Sequence, residues 1–252
     1  IGIEGLLNEV SLLENVFKPL MNKPLDHELD LADQIKQRLF VKKAEFETDV
    51  NQLILNVLQG KGLLLVDGLP EGWILHIEGI EERAIQEPPT EAIVKGPREA
   101  FVESIATNLA LIRRRIQHPS LRFESTKIGH YTRSNVTIAY IDGIADPQVV
   151  QRLRDRLKHI ETDSLLSSGE LEQFVEDNPH TIFPTVGNTE RPDKSAAMLM
   201  EGRIVILVDG DPVALIVPYL FIQSLQNQED YSSRPYFATF IRLLRLFSYL
   251  SS

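Results

Sequence analysis

The segment Gly60–Pro70 recurs in register and without a gap as Gly202–Pro212, 142 positions further along the chain. Each copy opens on glycine, continues with a basic residue (Lys61, Arg203) and an apolar run, and closes on Asp-Gly (Asp67-Gly68, Asp209-Gly210). Asp-Gly after an apolar run is a strong hairpin signal, because both central residues of a type I′ turn take positive φ. A helical pattern precedes each leading glycine, Asp49–Gln59 in the first copy and Pro192–Glu201 in the second, and the glycine stops it. Helix, stop, strand and hairpin thus occur twice. A 252-residue chain built this way divides into two related α/β lobes rather than one large sheet.

The remaining pattern fills in those lobes. Residues 3–36 carry apolar positions near helical spacing (Leu6, Val10, Leu13, Phe17) and read as a helical arm or cap over 1–36. The first lobe, 37–130, holds strand candidates Gly62–Val66 and Trp73–Ile77, a Pro-rich loop over Glu87–Thr90, and a long helix predicted from Arg98 to Ile116 after Gly96-Pro97. Leu121–Ile128 and Val136–Ile141 read as strands, with Gly129–Asn135 as the lobe boundary. In the second lobe, 131–230, Asp146-Pro147 supplies a cap and a first helical residue for a helix over Gln148–Ile160. A further helix is predicted near Gly169–Glu176. The expected fold is two related lobes, each a small mixed β-sheet with packed helices, between the N-terminal arm and a C-terminal apolar helix over 231–252.

Composition removes several function classes. A net charge of -10 argues against nucleic acid or an anionic membrane surface as the main partner, since those require a basic stripe that displaces counterions. With no cysteine, disulfide and thiolate chemistry are excluded. The six histidines show no metal-type spacing, so no metal site and no cofactor is expected. No Gly-x-Ser-x-Gly elbow, phosphate loop or dinucleotide fingerprint is present, and Gly60-Lys61-Gly62 precedes a strand where a dinucleotide loop must follow one. The chain is not expected to be an enzyme. It starts without methionine or leader, and Phe237, Phe240, Ile241, Leu243, Leu244 and Phe247 crowd its end, as in a fragment cut where a membrane region begins.

Two blocks carry a family resemblance. Val94-Lys95-Gly96-Pro97-Arg98-Glu99-Ala100-Phe101, with Asn108 and Leu111–Arg115, is one; Thr189-Glu190-Arg191-Pro192-Asp193-Lys194, continuing through Glu201-Gly202-Arg203 to Asp209-Gly210, is the other. With Tyr140–Pro147 between them, they resemble the A subunit of GerA-type spore germinant receptors from about Gly60 onward. The resemblance implies the soluble N-terminal domain of a membrane protein of the spore inner membrane, on the core-facing side. Its implied partners are a transporter-like B subunit, a lipoprotein C subunit and other A subunits in a homo-oligomer. Its implied role is to couple sensing of an amino acid or sugar to an ion-conducting complex. The alternative is a binding module that holds the nutrient between its lobes.

For each candidate site residue the sequence leaves a structural and a functional reading open. Asp67, Asp142 and Asp209 stand at strand ends, where they either form turns or converge on one sheet edge as acids or ligands. Arg113, Arg114 and Arg115 close a helix, complementing its dipole or forming buried ion pairs with carboxylates or another subunit. Arg191 and Asp193 flank Pro192 at a helix start, with Glu190 and Glu201 as expected ion-pair partners of Arg191. In the functional reading Arg191 and the helix amides hold a ligand carboxylate, and Arg191→Ala leaves thermal stability nearly unchanged. Arg98 is a candidate of the same kind.

Overall fold

The computed structural model describes residues 1–22, 31–41, 43–77, 79, 99–176 and 185–219. The expected C-terminal helix, the Pro-rich loop and Arg98 lie outside these. Two compact units are distinguished: one within 1–84 together with Leu109–Pro119, the other within 85–108 together with 120–252.

The first unit is built on a three-stranded sheet of β1 (Ala44–Glu47), β2 (Gly62–Leu64) and β3 (Gly72–Leu75), ordered β1-β3-β2. Trp73, Leu75 and Ile77 project to one face, against Val16 and Ile35. Those two belong to the N-terminal helical segments: α1 (Glu9–Leu12), a π-helical turn (Leu13–Phe17), α2 (Lys18–Met21) and α3 (Leu31–Arg38). Ile74 points the other way, to Leu63 and to Leu53 of α4 (Val50–Leu58). The expected arm over 1–36 is therefore a layer of the first unit, and Leu63 donates its amide to the Ile1 carbonyl at 2.7 Å. Leu12, Val16 and Leu20 recur at helical spacing on one side, and that side is buried against the sheet.

The second unit contains α5 (Ile105–Arg115) in part, then β4 (Leu121–Ile128), β5 (Ser134–Ile141), α6 (Pro147–Lys158), α7 (Ser168–Val175), β6 (Gly187–Thr189), α8 (Pro192–Met200), β7 (Ile204–Val208) and β8 (Ala214–Val217). Its five strands are ordered β4-β5-β7-β8-β6. Val136, Ile138, Ile204, Ile206 and Val208 form one face, covered by Val150, Leu153 and Leu157 of α6 and Leu171 and Val175 of α7. Helix α8 packs on the other face. With both faces covered, β7 is buried along its whole length, which is why it reads as an uninterrupted apolar run. The mixed sheets expected of each lobe resolve, among the described residues, into antiparallel ladders.

The sequence repeat is a structural repeat of larger extent. Residues 50–58 and 192–200 are both helical at the 142-residue offset. Strand registers repeat at the same offset: Leu63 lies opposite Ile74 as Val205 lies opposite Ile216, and Phe46 opposite Trp73 as Asn188 opposite Leu215. Gly60 donates to the Val57 carbonyl and Lys61 to Asn56; Gly202 donates to Leu199 and Arg203 to Met198. Both sets are the paired bonds of a Schellman stop, with glycine at φ +90° and +85°. The duplicated module is thus strand, helix, strand, strand. Sequence similarity is visible only where apolar strand and turn coincide.

Three expectations need correction. In the Asp-Gly turns glycine alone takes positive φ (Gly68 +88°, Gly210 +90°), and Leu69 and Asp211 donate to the Val66 and Val208 carbonyls. That is a type II rather than a type I′ arrangement, and the loops are longer than two residues. Gly129–Asn135 is not a boundary, because β4 and β5 pair over their full eight residues, with Ser134 and Asn135 already in β5 and only Gly129–Arg133 left as the hairpin connection. Helix α5 begins at Ile105 rather than Arg98: Asn108 donates to the Val102 carbonyl and accepts from the Val102 amide, holding the preceding residues outside the helix.

A Cβ at residue 202 would stand 3.0 Å from the Ile144 carbonyl oxygen, on a backbone that L residues avoid. Gly202→Ala is expected to lose about 1–3 kcal/mol in urea denaturation. An unchanged midpoint would contradict the assignment of this glycine as the module's helix stop.

Candidate functional site

Strand β6 delivers Thr189, Glu190 and Arg191 to the start of α8. The Arg191 amide donates to Thr189 Oγ1 at 3.1 Å, and the Glu190 carbonyl accepts from the Phe101 amide at 2.8 Å. The backbone here is held from both sides. Arg191 occupies the N-cap position without a side-chain cap, and Pro192 opens the helix with a φ already suited to it.

The Arg191 side chain is 2% exposed, and its fork closes on Asp193: Nε donates to Oδ1 at 3.1 Å and Nη2 to Oδ2 at 2.6 Å. Glu190 and Glu201 were the expected partners; the short connection through Pro192 puts the Asp193 carboxylate in reach of the fork instead. Asp193 also lies in the first turn of α8, where negative charge complements the helix dipole. A guanidinium paired in two contacts and buried to this degree is part of the packing. The ligand-holding reading of Arg191 therefore has to displace an internal carboxylate.

Within the second unit, Asp142 and Asp209 do not converge. Val136 of β5 lies opposite Val208 of β7, and the two strands run antiparallel, so Asp142 and Asp209 leave the sheet at opposite ends. Asp209 Oδ1 accepts from the Ile105 amide at 3.2 Å, satisfying an otherwise unpaired donor in the first turn of α5. Asp142 is exposed, with a carboxylate oxygen 3.9 Å from Arg122 Nη2, and its amide donates to Ser120. The turn-forming reading accounts for both.

Arg113 and Arg115 finish α5 in the same way. Arg113, 8% exposed, donates from Nη1 to the His118 carbonyl at 3.0 Å, and Arg115 from Nη1 to the Leu111 carbonyl at 2.9 Å. The Arg114 carbonyl accepts from the Gln117 amide group. Three cations thus stand at the negative end of the helix, and the terminal carbonyl of Arg114 is met by the neutral Gln117 side chain.

One polar cluster escaped the sequence reading. Arg154 of α6 donates from Nε and Nη2 to the two oxygens of Glu124 on β4, each at 2.8 Å, and Tyr140 of β5 donates its hydroxyl to Glu124 Oε1 at 2.6 Å. Arg154, through its hydrogen bonds, holds the Glu124 carboxyl below its usual pKa; burial, then the hydrogen bond to Glu124, raises that of Tyr140. The three residues are far apart in sequence, and no spacing signal connects them. Among the described residues no group of His, Cys, Asp and Glu could hold a metal ion, and no helix is long and apolar enough to cross a membrane.

Comparison with known proteins decides the family. The model of the Bacillus/Clostridium GerA spore germination protein matches residues 1–252. The chain belongs to the GerA spore germination family. It is 40% identical over 253 residues to spore germination protein KA of Bacillus subtilis (strain 168), which covers all of this chain and 46% of that protein. It is 37% identical to the uncharacterized membrane protein YfkQ of the same organism, covering 96% of this chain and 47% of that one. This GerA-family chain thus spans about half the length of the curated relatives it matches. Among solved structures it is similar to the N-terminal domain of the A subunit of the Bacillus megaterium spore germinant receptor GerK3, with TM-score 0.64, 38% identity and coverage of 87% of this chain and 81% of that one. The two-unit α/β architecture is that of the GerK3 domain.

If the Arg191–Asp193 pair is part of the packing, removing one partner leaves a largely buried charge. Arg191→Met is expected to cost about 3 kcal/mol, in contrast to the near-neutral change expected from sequence. Denaturation of Arg191→Met, Asp193→Asn and the double variant should show the double less destabilised than the two singles summed. Additive or negligible effects would contradict the assignment.

Proposed function

We propose that this GerA-family chain is the soluble N-terminal part of a germinant receptor A subunit and works by protein contacts, coupling nutrient sensing elsewhere in the receptor to an ion-conducting membrane assembly. The partners on this reading are a transporter-like B subunit, a lipoprotein C subunit and further A subunits, at the spore inner membrane with the domain facing the core. The chain itself performs no catalysis. The likeness to an A-subunit domain of a germinant receptor supports the assignment within the receptor.

The observation that carries the coupling role is the internal use of the groups that a carboxylate-bearing nutrient would need. Arg191 is closed on Asp193, and Asp209 receives the first turn of α5. Arg113 and Arg115 donate to carbonyls around the end of α5. Prising Arg191 away for a ligand would strand a carboxylate, at a cost comparable to the binding energy of a millimolar ligand, about 4 kcal/mol.

The test is thermal unfolding of the purified chain against amino acids, sugars and nucleosides at high concentration. A ligand at a hundred times its dissociation constant adds about 2.7 kcal/mol to native stability. No specific, saturable shift is expected. A saturable shift with one nutrient, abolished by a change in this chain, would make the domain the sensor.

A further inference from the structure

The chain holds three Asp-Gly steps, at residues 67–68, 142–143 and 209–210, each after a β-branched residue (Val66, Ile141, Val208). All three sit in the same kind of turn. The glycine takes positive φ in each (Gly68 +88°, Gly143 +84°, Gly210 +90°), and the next residue donates its amide three positions back: Leu69 to Val66, Ile144 to Ile141, Asp211 to Val208. Local sequence and local backbone are alike. Any difference in chemistry between the three comes from what surrounds them.

An Asp-Gly step carries its own reaction. The glycine nitrogen attacks Cγ of the preceding carboxyl group, and a C–N bond forms while the carboxyl hydroxyl and the amide hydrogen leave as water. The product is a cyclic succinimide. Water then reopens the ring. Opening at the Cγ carbonyl restores aspartate; opening at the backbone carbonyl leaves isoaspartate, in which the main chain runs through Cβ and the α-carboxyl group hangs free. One water leaves and one returns, so no further reactant is required. Glycine favours the closure because it has no Cβ to crowd the attacking nitrogen.

Closure requires an amide nitrogen released from any hydrogen bond and a carboxyl group free to swing onto it. The turn at 209–210 meets neither condition: Gly210 donates its amide to the Glu103 carbonyl at 2.8 Å, and Asp209 Oδ1 accepts from the Ile105 amide at 3.2 Å. The other two turns are open. Among the described residues neither the Gly68 nor the Gly143 amide has a hydrogen-bond partner. The Asp142 carboxylate approaches the exposed Arg122 only to 3.9 Å, too far for a hydrogen bond. Exposure does not separate the three, since every one of these aspartates and glycines is exposed. The hydrogen bonds at Asp209 and Gly210 do.

From this contrast we propose that Asp67 and Asp142 are sites of spontaneous succinimide formation and conversion to isoaspartate in the folded chain, while Asp209 is protected. Each conversion adds a backbone carbon at a point that sets register. At 67 it falls between the paired strands β2 and β3. At 142 it falls between β5 and the Asp146 cap of α6, where the Ile144 and Ala145 amides both donate to the Ile141 carbonyl.

The experiment incubates the purified chain in warm neutral buffer made with H₂¹⁸O, followed by digestion in ordinary water and peptide mass spectrometry. Each passage through the ring leaves one ¹⁸O at that residue, and electron-transfer fragmentation distinguishes isoaspartate from aspartate. A parallel incubation in guanidinium chloride removes the fold. Unfolded, the three steps are expected to label at comparable rates. Folded, Asp67 and Asp142 should label at least about tenfold faster than Asp209, whose closure first has to break hydrogen bonds, and isoaspartate should accumulate at both. Asp142→Glu, whose longer side chain closes its ring slowly, should abolish labelling at 142 and leave labelling at 67 and the unfolding midpoint unchanged. Labelling of Asp209 as fast as the other two in the folded chain, no label at Asp67 or at Asp142, or the same order of rates with and without the fold would overturn the proposal.

Discussion

Register is the constraint on which the rest of the fold depends. In both copies of the module a glycine at positive φ ends the helix, so that a strand starts two residues later at a fixed phase. A second glycine then turns the chain so that the following strand pairs at the same register in both copies. A slip of one residue would exchange the two faces of every strand, placing Ile204, Ile206 and Val208 where Val205 and Leu207 now lie. Local backbone chemistry at four glycines thereby sets which side chains form each core.

Between these fixed points the copies have diverged, and the divergence is physical in kind. The N-cap of α4 is Asp49, whose carboxylate accepts from the Asn51 amide; at the equivalent place α8 has Arg191, with Asp193 two residues on in the first turn. The same orphaned helix start is met by a side-chain cap in one copy and by a proline and a buried ion pair in the other. The helices also differ in surroundings: Val50 and Ile54 of α4 are exposed, whereas Pro192 and Ala196 of α8 are buried. At the edge, β7 is paired by the full-length strand β5, while β2 receives the amino-terminal residues.

How much of this is legible in sequence follows from the range of the interaction. Glycine stops, the Asp146-Pro147 start of α6 and the apolar strands act through neighbours in the chain, and they were read with the right element in the right place. The cap of α7 by Ser167 is of the same local kind. Gly129–Asn135 reads as a lobe boundary because it has the composition of a loop, and composition does not distinguish a linker from the turn of a hairpin. The start of α5 depends on Asp209, a residue 104 positions away, and on Asn108 folding back to Val102. Glu124, Tyr140 and Arg154 are assembled only once β4, β5 and α6 are packed together.

The candidate site residues show the same division. The sequence pattern places Arg191 and Asp193 at a helix start, as in the structure, and leaves open whether the guanidinium faces a ligand or the protein. In the structure the guanidinium is 2% exposed and makes a two-point contact with Asp193.

The coupling role is tested most directly by exchanging this segment, within a full-length A subunit, for the corresponding segment of a family member whose receptor answers to a different nutrient. Dose–response curves for germination by both nutrients would then be measured in spores. The account predicts that nutrient preference and half-maximal concentrations stay with the rest of the receptor, with only the rate or extent of the response altered. Preference that travels with the exchanged segment would contradict it and make this domain the nutrient-reading part.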